Sequence, residues 1–211
     1  MARTRASKAW MREHVNDPYV KRAQAEGARS RAAYKLQQID ERDRLLKPGM
    51  TVVDLGAAPG GWSQVAAKRV APGGRVIAVD LLDMPALHGV VFIHSDFGNA
   101  ATLAALEHLL GDQPVDLVLS DMSPNIGGIA SVDQARAGTL AELALDFALK
   151  HLKPQGNFLV KSFQGEGFEA FVKILRRHFT QVVTRKPQAS RSRSSEVYLL
   201  GKGFKRAGAR V

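Results

Sequence analysis

The sequence predicts one α/β domain: a mostly parallel sheet of short strands with helices on both faces. Three observations carry this. Val/Ile/Leu-rich runs of four to six residues are nearly continuous in apolar character, as strands buried on both sides require. Segments of helical periodicity separate these runs, the alternation that βαβ crossovers produce. The last two β-rich segments are instead joined by a polar loop, KPQASRSRSS, so the final strand is expected to run antiparallel to the others.

The elements follow in order. Residues 30–46, SRAAYKLQQIDERDRLL, space Ala33, Leu36, Ile39 and Leu45 or Leu46 at roughly helical intervals, and Lys47-Pro48-Gly49 stops the helix. MTVVDL is a strand running into a Gly/Pro-rich turn, GWSQVAAKRV a helix, and Ala71-Pro72-Gly73-Gly74 a second turn. RVIAVDL repeats the pattern of a strand closing on an acid. Strands follow at 90–94, 115–120 and 157–163, with helices at about 99–110 and 133–152. A helix at about 167–178 leads to β-rich segments at 180–185 and 195–200, which brings the strands to seven. No internal repeat or interdomain linker is visible. The organisation expected is a basic arm over 1–29, the α/β domain over 30–203 and a basic tail over 204–211.

Composition narrows the chemistry. With 211 residues, 45% of them apolar, the chain can bury a core of its own. Cysteine is absent, which excludes disulfides, thiolate-held zinc or iron–sulfur clusters and any thiol nucleophile. No apolar stretch approaches membrane-spanning length and the N-terminus lacks an apolar signal core, so no membrane association and a cytoplasmic location are expected. An Arg-rich, acid-poor start leaves organelle import as the alternative.

The net charge of +10 is unevenly spread. Residues 1–35 carry nine basic and three acidic side chains, net +6; residues 36–172 carry ten and sixteen, net −6; residues 173–211 carry eleven and one, net +10. An acidic middle between two basic ends suits a small-molecule site in the body and ends that grip phosphates. Two solvated tails are the plain alternative.

The first strand ends in Asp54-Leu55-Gly56-Ala57-Ala58-Pro59-Gly60-Gly61-Trp62, where open α/β sheets bind ligands beyond their strand ends. The second strand ends about twenty residues later in Asp80, suited to ribose hydroxyls, and the third in Asp96. A nicotinamide cofactor would require G-x-G-x-x-G and a helix N-terminus open to pyrophosphate. Here Pro59 interrupts the turn and Asp54 would repel a phosphate. A cationic cofactor fits better, and S-adenosylmethionine brings a sulfonium, an amino group and a ribose diol.

Taken together, DLGAAPGGW, VDL with Asp80, Asp96, DMSPN at 121–125, LVKSFQGEG around Lys161 and ASRSRSSEVY ending at Glu196 and Tyr198 resemble the FtsJ-like RNA ribose 2′-O-methyltransferases, particularly the bacterial members acting on large-subunit ribosomal RNA. The similarity runs from about Ser30 to Lys202 with every motif in order. It implies a Rossmann-like methyltransferase with a terminal antiparallel strand and S-adenosylmethionine as donor. The Lys-Asp-Lys-Glu active site of that family falls here on Lys35, Asp121, Lys161 and Glu196. Cofactor binding falls on Gly60, Trp62, Asp80, Asp96 and Asp121, to which the turn adds Asp54, Gly56 and Pro59. No metal ligand belongs to the set.

Those residue types suit the reaction. A ribose 2′-hydroxyl is a poor nucleophile near neutral pH, so its proton must be taken or strongly polarised as the oxygen attacks the methyl in line. A lysine can do this only when neutral, a state that burial or a second cation favours. Lys161 is expected in that role, Asp121 between cofactor and Lys161, Lys35 as the offsetting cation, and Glu196 closing the set. Plain structural roles exist for each: a solvated lysine, a turn-capping Asp121, an edge-strand Glu196. Independently of the resemblance, Ser123-Pro124-Asn125 lacks the aromatic that amino-directed enzymes use to hold a flipped base, and the covalent C5 route needs a cysteine. O-methylation is favoured.

RNA is expected to meet Arg3, Arg5, Lys8, Arg12, Lys21, Arg22, Arg29 and Arg31, interleaved with Trp10 and Tyr19, and Arg176, Arg177, Arg185, Lys186, Arg191 and Arg193 near Glu196. The resemblance implies large-subunit ribosomal RNA in an assembled or assembling 50S particle as partner, and a monomeric enzyme. Transfer RNA or capped messenger RNA as substrate, and a non-enzymatic assembly factor, are the other readings.

Overall fold

The computed structural model describes residues 17–124, 127–128, 130–191 and 194–205. The expected arm residues through Arg12, the tail from 206 and Arg193 lie outside the described residues. The elements are α1 (Pro18–Glu26), α2 (Ala32–Asp43), β1 (Thr51–Leu55), α3 (Gly61–Val70), β2 (Arg75–Asp80), β3 (Val90–His94), α4 (Ala100–Leu110), β4 (Val115–Ser120), α5 (Ala130–His151), β5 (Leu152–Phe163), α6 (Phe168–His178), β6 (Phe179–Arg185) and β7 (Glu196–Phe204). They form a seven-stranded sheet in the order β3-β2-β1-β4-β5-β7-β6. β1 to β5 run parallel, and β7 enters antiparallel between β5 and β6.

Strand alternation divides the core into two layers. Val53, Leu55, Ile77, Val79, Val118, Phe158, Val160 and Leu199 face α4, α5 and α6. Val52, Val76, Leu117, Leu119, Leu159, Tyr198 and Leu200 face α2 and α3. The sequence expectation of helices on both faces therefore holds, as does the antiparallel last strand. Boundaries differ where local chemistry intervenes. The expected helix over 30–46 stops at Asp43, because Arg44 turns left-handed (φ 53°) and the Asp40 carboxylate accepts from the Leu46 N–H at 2.8 Å. β5 begins at Leu152, five residues before the apolar run suggested, after a register shift between Val115 and Leu117.

The segment 18–26, placed by the sequence reading within the arm, is a helix. Asp17 caps it by accepting from the Tyr19 N–H at 2.9 Å, Pro18 starts it and Gly27 (φ 69°) ends it. Ala23 packs with Tyr34 of α2 and Ala189. Tyr19, expected to stack on RNA bases, instead meets the Tyr34 ring at 5.6 Å, and its hydroxyl accepts from Gln38.

Helix α2 is fastened at both ends. Near its start, Arg31 pairs with Asp17 at 2.6 Å and donates to the Ala189 carbonyl. At its end the buried Asp43 carboxylate accepts two bonds from Arg185, at 2.7 and 2.8 Å, and one from Lys202 at 2.6 Å. Burial pushes the Asp43 carboxyl up, but the hydrogen bonds and charges of Arg185 and Lys202 outweigh it and hold the group below its ordinary value. Asp43→Ala is expected to cost about 3 kcal/mol in urea unfolding at neutral pH, toward the lower end for breaking a buried pair. A depressed folded-state value stabilises above the unfolded one, so the wild-type advantage should shrink as pH falls below about 4, and a pH-independent difference would contradict this origin.

Candidate active site

The polar residues of the site sit where strands of the α2-covered layer run out. Leu117 and Leu119 of β4 precede Asp121 at two-residue spacing, Leu159 precedes Lys161, and Glu196 and Tyr198 precede Leu200, so one periodicity carries apolar residues into the core and ionisable ones to the rim. Lys161 stands opposite Tyr198 in the β5–β7 register, and Phe163 opposite Glu196. Lys35 reaches the same place from α2.

Two ion pairs result. The Lys161 ammonium, 8% exposed, lies 2.8 Å from Asp121 Oδ1 and also donates to the Asp121 carbonyl and Ser123 Oγ, each at 2.8 Å. These acceptors match its three donors. The Lys35 ammonium meets Glu196 Oε1 at 2.7 Å, which also accepts from Ser190 Oγ at 2.9 Å. Tyr198 links the pairs: its hydroxyl donates to Asp121 Oδ1 at 2.8 Å and accepts from Lys35 at 3.1 Å. Burial above all, then the charges of Asp121 and Glu196, push the Tyr198 hydroxyl well above the ordinary phenol value. Glu196 moves the other way: burial would raise it, but Lys35 and Lys161 outweigh burial and its carboxyl stays below the usual range.

The structure thus brings Lys35, Asp121, Lys161 and Glu196 into one network, with a different wiring from that expected. Lys35 offsets the acids near Lys161 through one of them. It is paired to Glu196, and its link to the Lys161–Asp121 pair passes through Tyr198. Sequence reasoning gave Tyr198 no role, although its two-residue spacing from Glu196 on one strand was a signal.

The cofactor candidates divide. Asp80 accepts from the Ala58 N–H at 2.8 Å on one oxygen and from the Leu82 N–H at 2.7 Å on the other, so it shapes the glycine-rich turn and keeps lone pairs to spare on both oxygens. Asp96, exposed at the end of β3, accepts from the Gly98 N–H. Gly56 (φ 78°) has no room for a Cβ, which would lie 2.7 Å from the Met122 nitrogen. Pro59 offers its carbonyl to Arg29, which also donates to the carbonyls of Pro85 and Ala86; Gly60 (φ 101°) caps α3.

Two candidates need correction. The Trp62 side chain is core, 2% exposed, its indole N–H given to the Ala32 carbonyl at 2.8 Å and its ring 5.4 Å from Tyr198. Only its main-chain N–H, in the first turn of α3, is suited to a ligand. Asp54 is 0% exposed and touches no open space; Ser63 donates to one oxygen at 2.6 Å, while the other, Oδ1, has no hydrogen-bond partner among the described residues. Burial, reinforced by Asp121 and Asp80 against the Ser63 hydrogen bond, pushes the Asp54 carboxyl up to about 7. Carboxyl groups gathered this closely at the strand ends suit a cation and not a phosphate.

The expected RNA cations divide as well. Arg29, Arg31 and Arg185 serve the internal contacts described above, and Lys186 donates to the carbonyls of Ser194 and Glu196. Lys21, Arg176 and Arg177 are exposed.

Asp54 generates a pH prediction. A carboxyl raised on folding keeps a proton that the unfolded chain loses, so its contribution to stability declines as pH rises from about 4 to about 7 and is level above that. Asp54→Asn should remove that decline and leave the ligand-free protein more stable than wild type above pH 7; parallel stability curves across this window would show that the carboxyl is not held neutral. Tyr198→Phe keeps the ring against Trp62 and deletes the bridge, and should lower stability by about 1 kcal/mol in equilibrium unfolding.

Comparison with known proteins agrees with this geometry. The FtsJ-like methyltransferase family profile matches residues 28–204. The ribosomal RNA large subunit methyltransferase E of Stenotrophomonas maltophilia (strain K279a) is 62% identical over 201 residues, 95% of this chain and 96% of the relative. The protein of the same name from Methylobacillus flagellatus is also 62% identical over 201 residues, 95% of this chain and 97% of its own. Among solved structures, a Plasmodium falciparum protein assigned as a ribosomal RNA methyltransferase superposes with a TM-score of 0.75 at 29% identity, covering 83% of this chain and 98% of that one. The sheet with its inserted antiparallel strand, the glycine-rich turn and the matched span together place this chain in the FtsJ-like methyltransferase family.

Proposed function

We propose that this protein transfers the methyl group of S-adenosylmethionine to the ribose 2′-hydroxyl of a uridine in large-subunit ribosomal RNA, acting as a cytoplasmic monomer on the assembled or assembling 50S subunit. The observation that carries this reading is the pairing of Lys161 with Asp121 and of Lys35 with Glu196, joined by Tyr198, beside a cleft of carboxylates at the strand ends. The near-full-length relatives named for ribosomal RNA methylation support the substrate class.

The chain's residues fit the donor. Asp80 and Asp96, at the ends of β2 and β3, suit its ribose and base, and the Gly60–Trp62 main chain and Asp121 its amino-acid end. When bound, S-adenosylmethionine supplies an electrophilic methyl group on a sulfonium. With the ribose hydroxyl in place of Ser123, Lys161 would act as the neutral amine, its lone pair taking the hydroxyl proton as the oxygen attacks. Asp121 fixes the direction of Lys161, while Glu196 holds Lys35, whose donation to the Tyr198 oxygen leaves the hydroxyl proton for the nearer acceptor, Asp121. In-line approximation alone can supply roughly 7 to 11 kcal/mol, so positioning carries a large share of the rate.

Lys161→Ala is expected to abolish methylation while leaving cofactor affinity within a few-fold of wild type; retained activity would remove Lys161 from its role. Mapping ribose methylation in a deletion strain, with purified subunits and naked RNA compared side by side, should show loss at one large-subunit uridine. Loss at a transfer RNA position with ribosomal RNA unchanged would redirect the substrate, and wild-type particle assembly supported by Lys161→Ala would favour an assembly role. RNA affinity should fall steeply with salt and cofactor affinity much less.

A further inference from the structure

A cavity of about 460 Å³ opens on the other face of the sheet, between α5 and the segment that joins β5 to α6. It begins one residue beyond Lys161. Ser162 and Phe163 lie on its wall, about 3 and 7 Å further along the strand at about 3.3 Å per residue. Its lining is largely apolar and aromatic, with Phe163, Phe168 and Phe171 alongside the small residues of α5. In a protein of net charge +10, no lysine, arginine or histidine among the described residues lines it, and two carboxylates, Glu142 and Glu166, do.

We propose that this cavity receives an unstacked nucleobase of the RNA, that of the nucleotide whose ribose meets Lys161, and so contributes to the choice of that nucleotide. The inference rests on the function proposed above. The carboxylates exclude a phosphate, whereas an aromatic lining with acceptors at the rim suits a flat neutral ring carrying N–H donors. Gln134 supplies an oriented acceptor. Its amide N–H is committed to the Glu166 carbonyl at 2.8 Å, which leaves its Oε1 without a hydrogen-bond partner among the described residues and free to accept from a ring N–H or an exocyclic amine. The close approach of Gly165, where a Cβ would lie 2.4 Å from the Gln134 nitrogen, keeps that amide against the loop. A volume of this order lies within the range of small-molecule sites and accommodates a single base with its bridging waters.

Gly138 gives a direct test. It lies on the cavity wall in α5, a Cβ there meets nothing within 4 Å, and replacing a helical glycine does not weaken the helix. Gly138→Phe should fill the space, raising KM for 50S subunits by about tenfold or more, the effect of losing one base's stacking, with cofactor affinity and the thermal midpoint unchanged. Gln134→Ala, which opens the cavity instead, should raise KM a few-fold, and it decides the matter if the phenylalanine variant proves unstable. Wild-type KM in a folded Gly138→Phe protein overturns the pocket while leaving the proposed function standing. Wild-type inactivity on every RNA overturns both.

Discussion

A single buried hydroxyl holds the site together. Tyr198 has one proton to give, and it gives it to Asp121 while accepting from Lys35, so residues from α2, β4, β5 and β7 share one network. The order of the sheet makes this possible. Because β7 is inserted between β5 and β6, Tyr198 stands directly beside Lys161, two positions from Glu196, and on the face that α2 covers. Placed at the sheet edge, the last strand could not bring both residues to the same strand end.

The network in turn needs α2 to be fixed, since Lys35 belongs to no strand. The clamps do this with charge. Asp43 ties the end of the helix to β6 and β7 through Arg185 and Lys202, and Asp17 ties its beginning through Arg31. Basic residues that composition alone would assign to RNA are thereby consumed inside the protein, with Asp17 and Asp43 as their acidic partners.

Much of this was legible in the sequence for one reason: strand periodicity, turn chemistry and ionisable residues at strand ends coincide. Asp54, Asp80, Asp96 and Asp121 each close an apolar run, and Lys161 falls near the end of another. Less legible was what depends on distant partners. The burial of Trp62 follows from α2 packing over it, and the sealing of Asp54 follows from Ser63 on α3; neither is a local property. Helix α1 escaped because its polar, basic composition hides a short apolar contact at Ala23, although Asp17-Pro18 is a recognisable helix start. The link between Lys35 and Asp121 has the same origin, since only the tertiary fold reveals that a tyrosine stands between them.

The inserted strand also sets an order of assembly. Domains emerge and begin to fold from the N-terminal side during synthesis, and non-local pairings form late. Strands β1 to β4 can pair among themselves, whereas β5 and β6 acquire their shared neighbour only when β7 has been made. Glu196 and Tyr198 therefore arrive last, as the closing wedge of a sheet whose glycine-rich turn is already in place. During its own synthesis the protein passes through a form with its glycine-rich turn and the Lys161–Asp121 residues in place but with neither the partner of Lys35 nor the Tyr198 link, so the network closes only with the final strand.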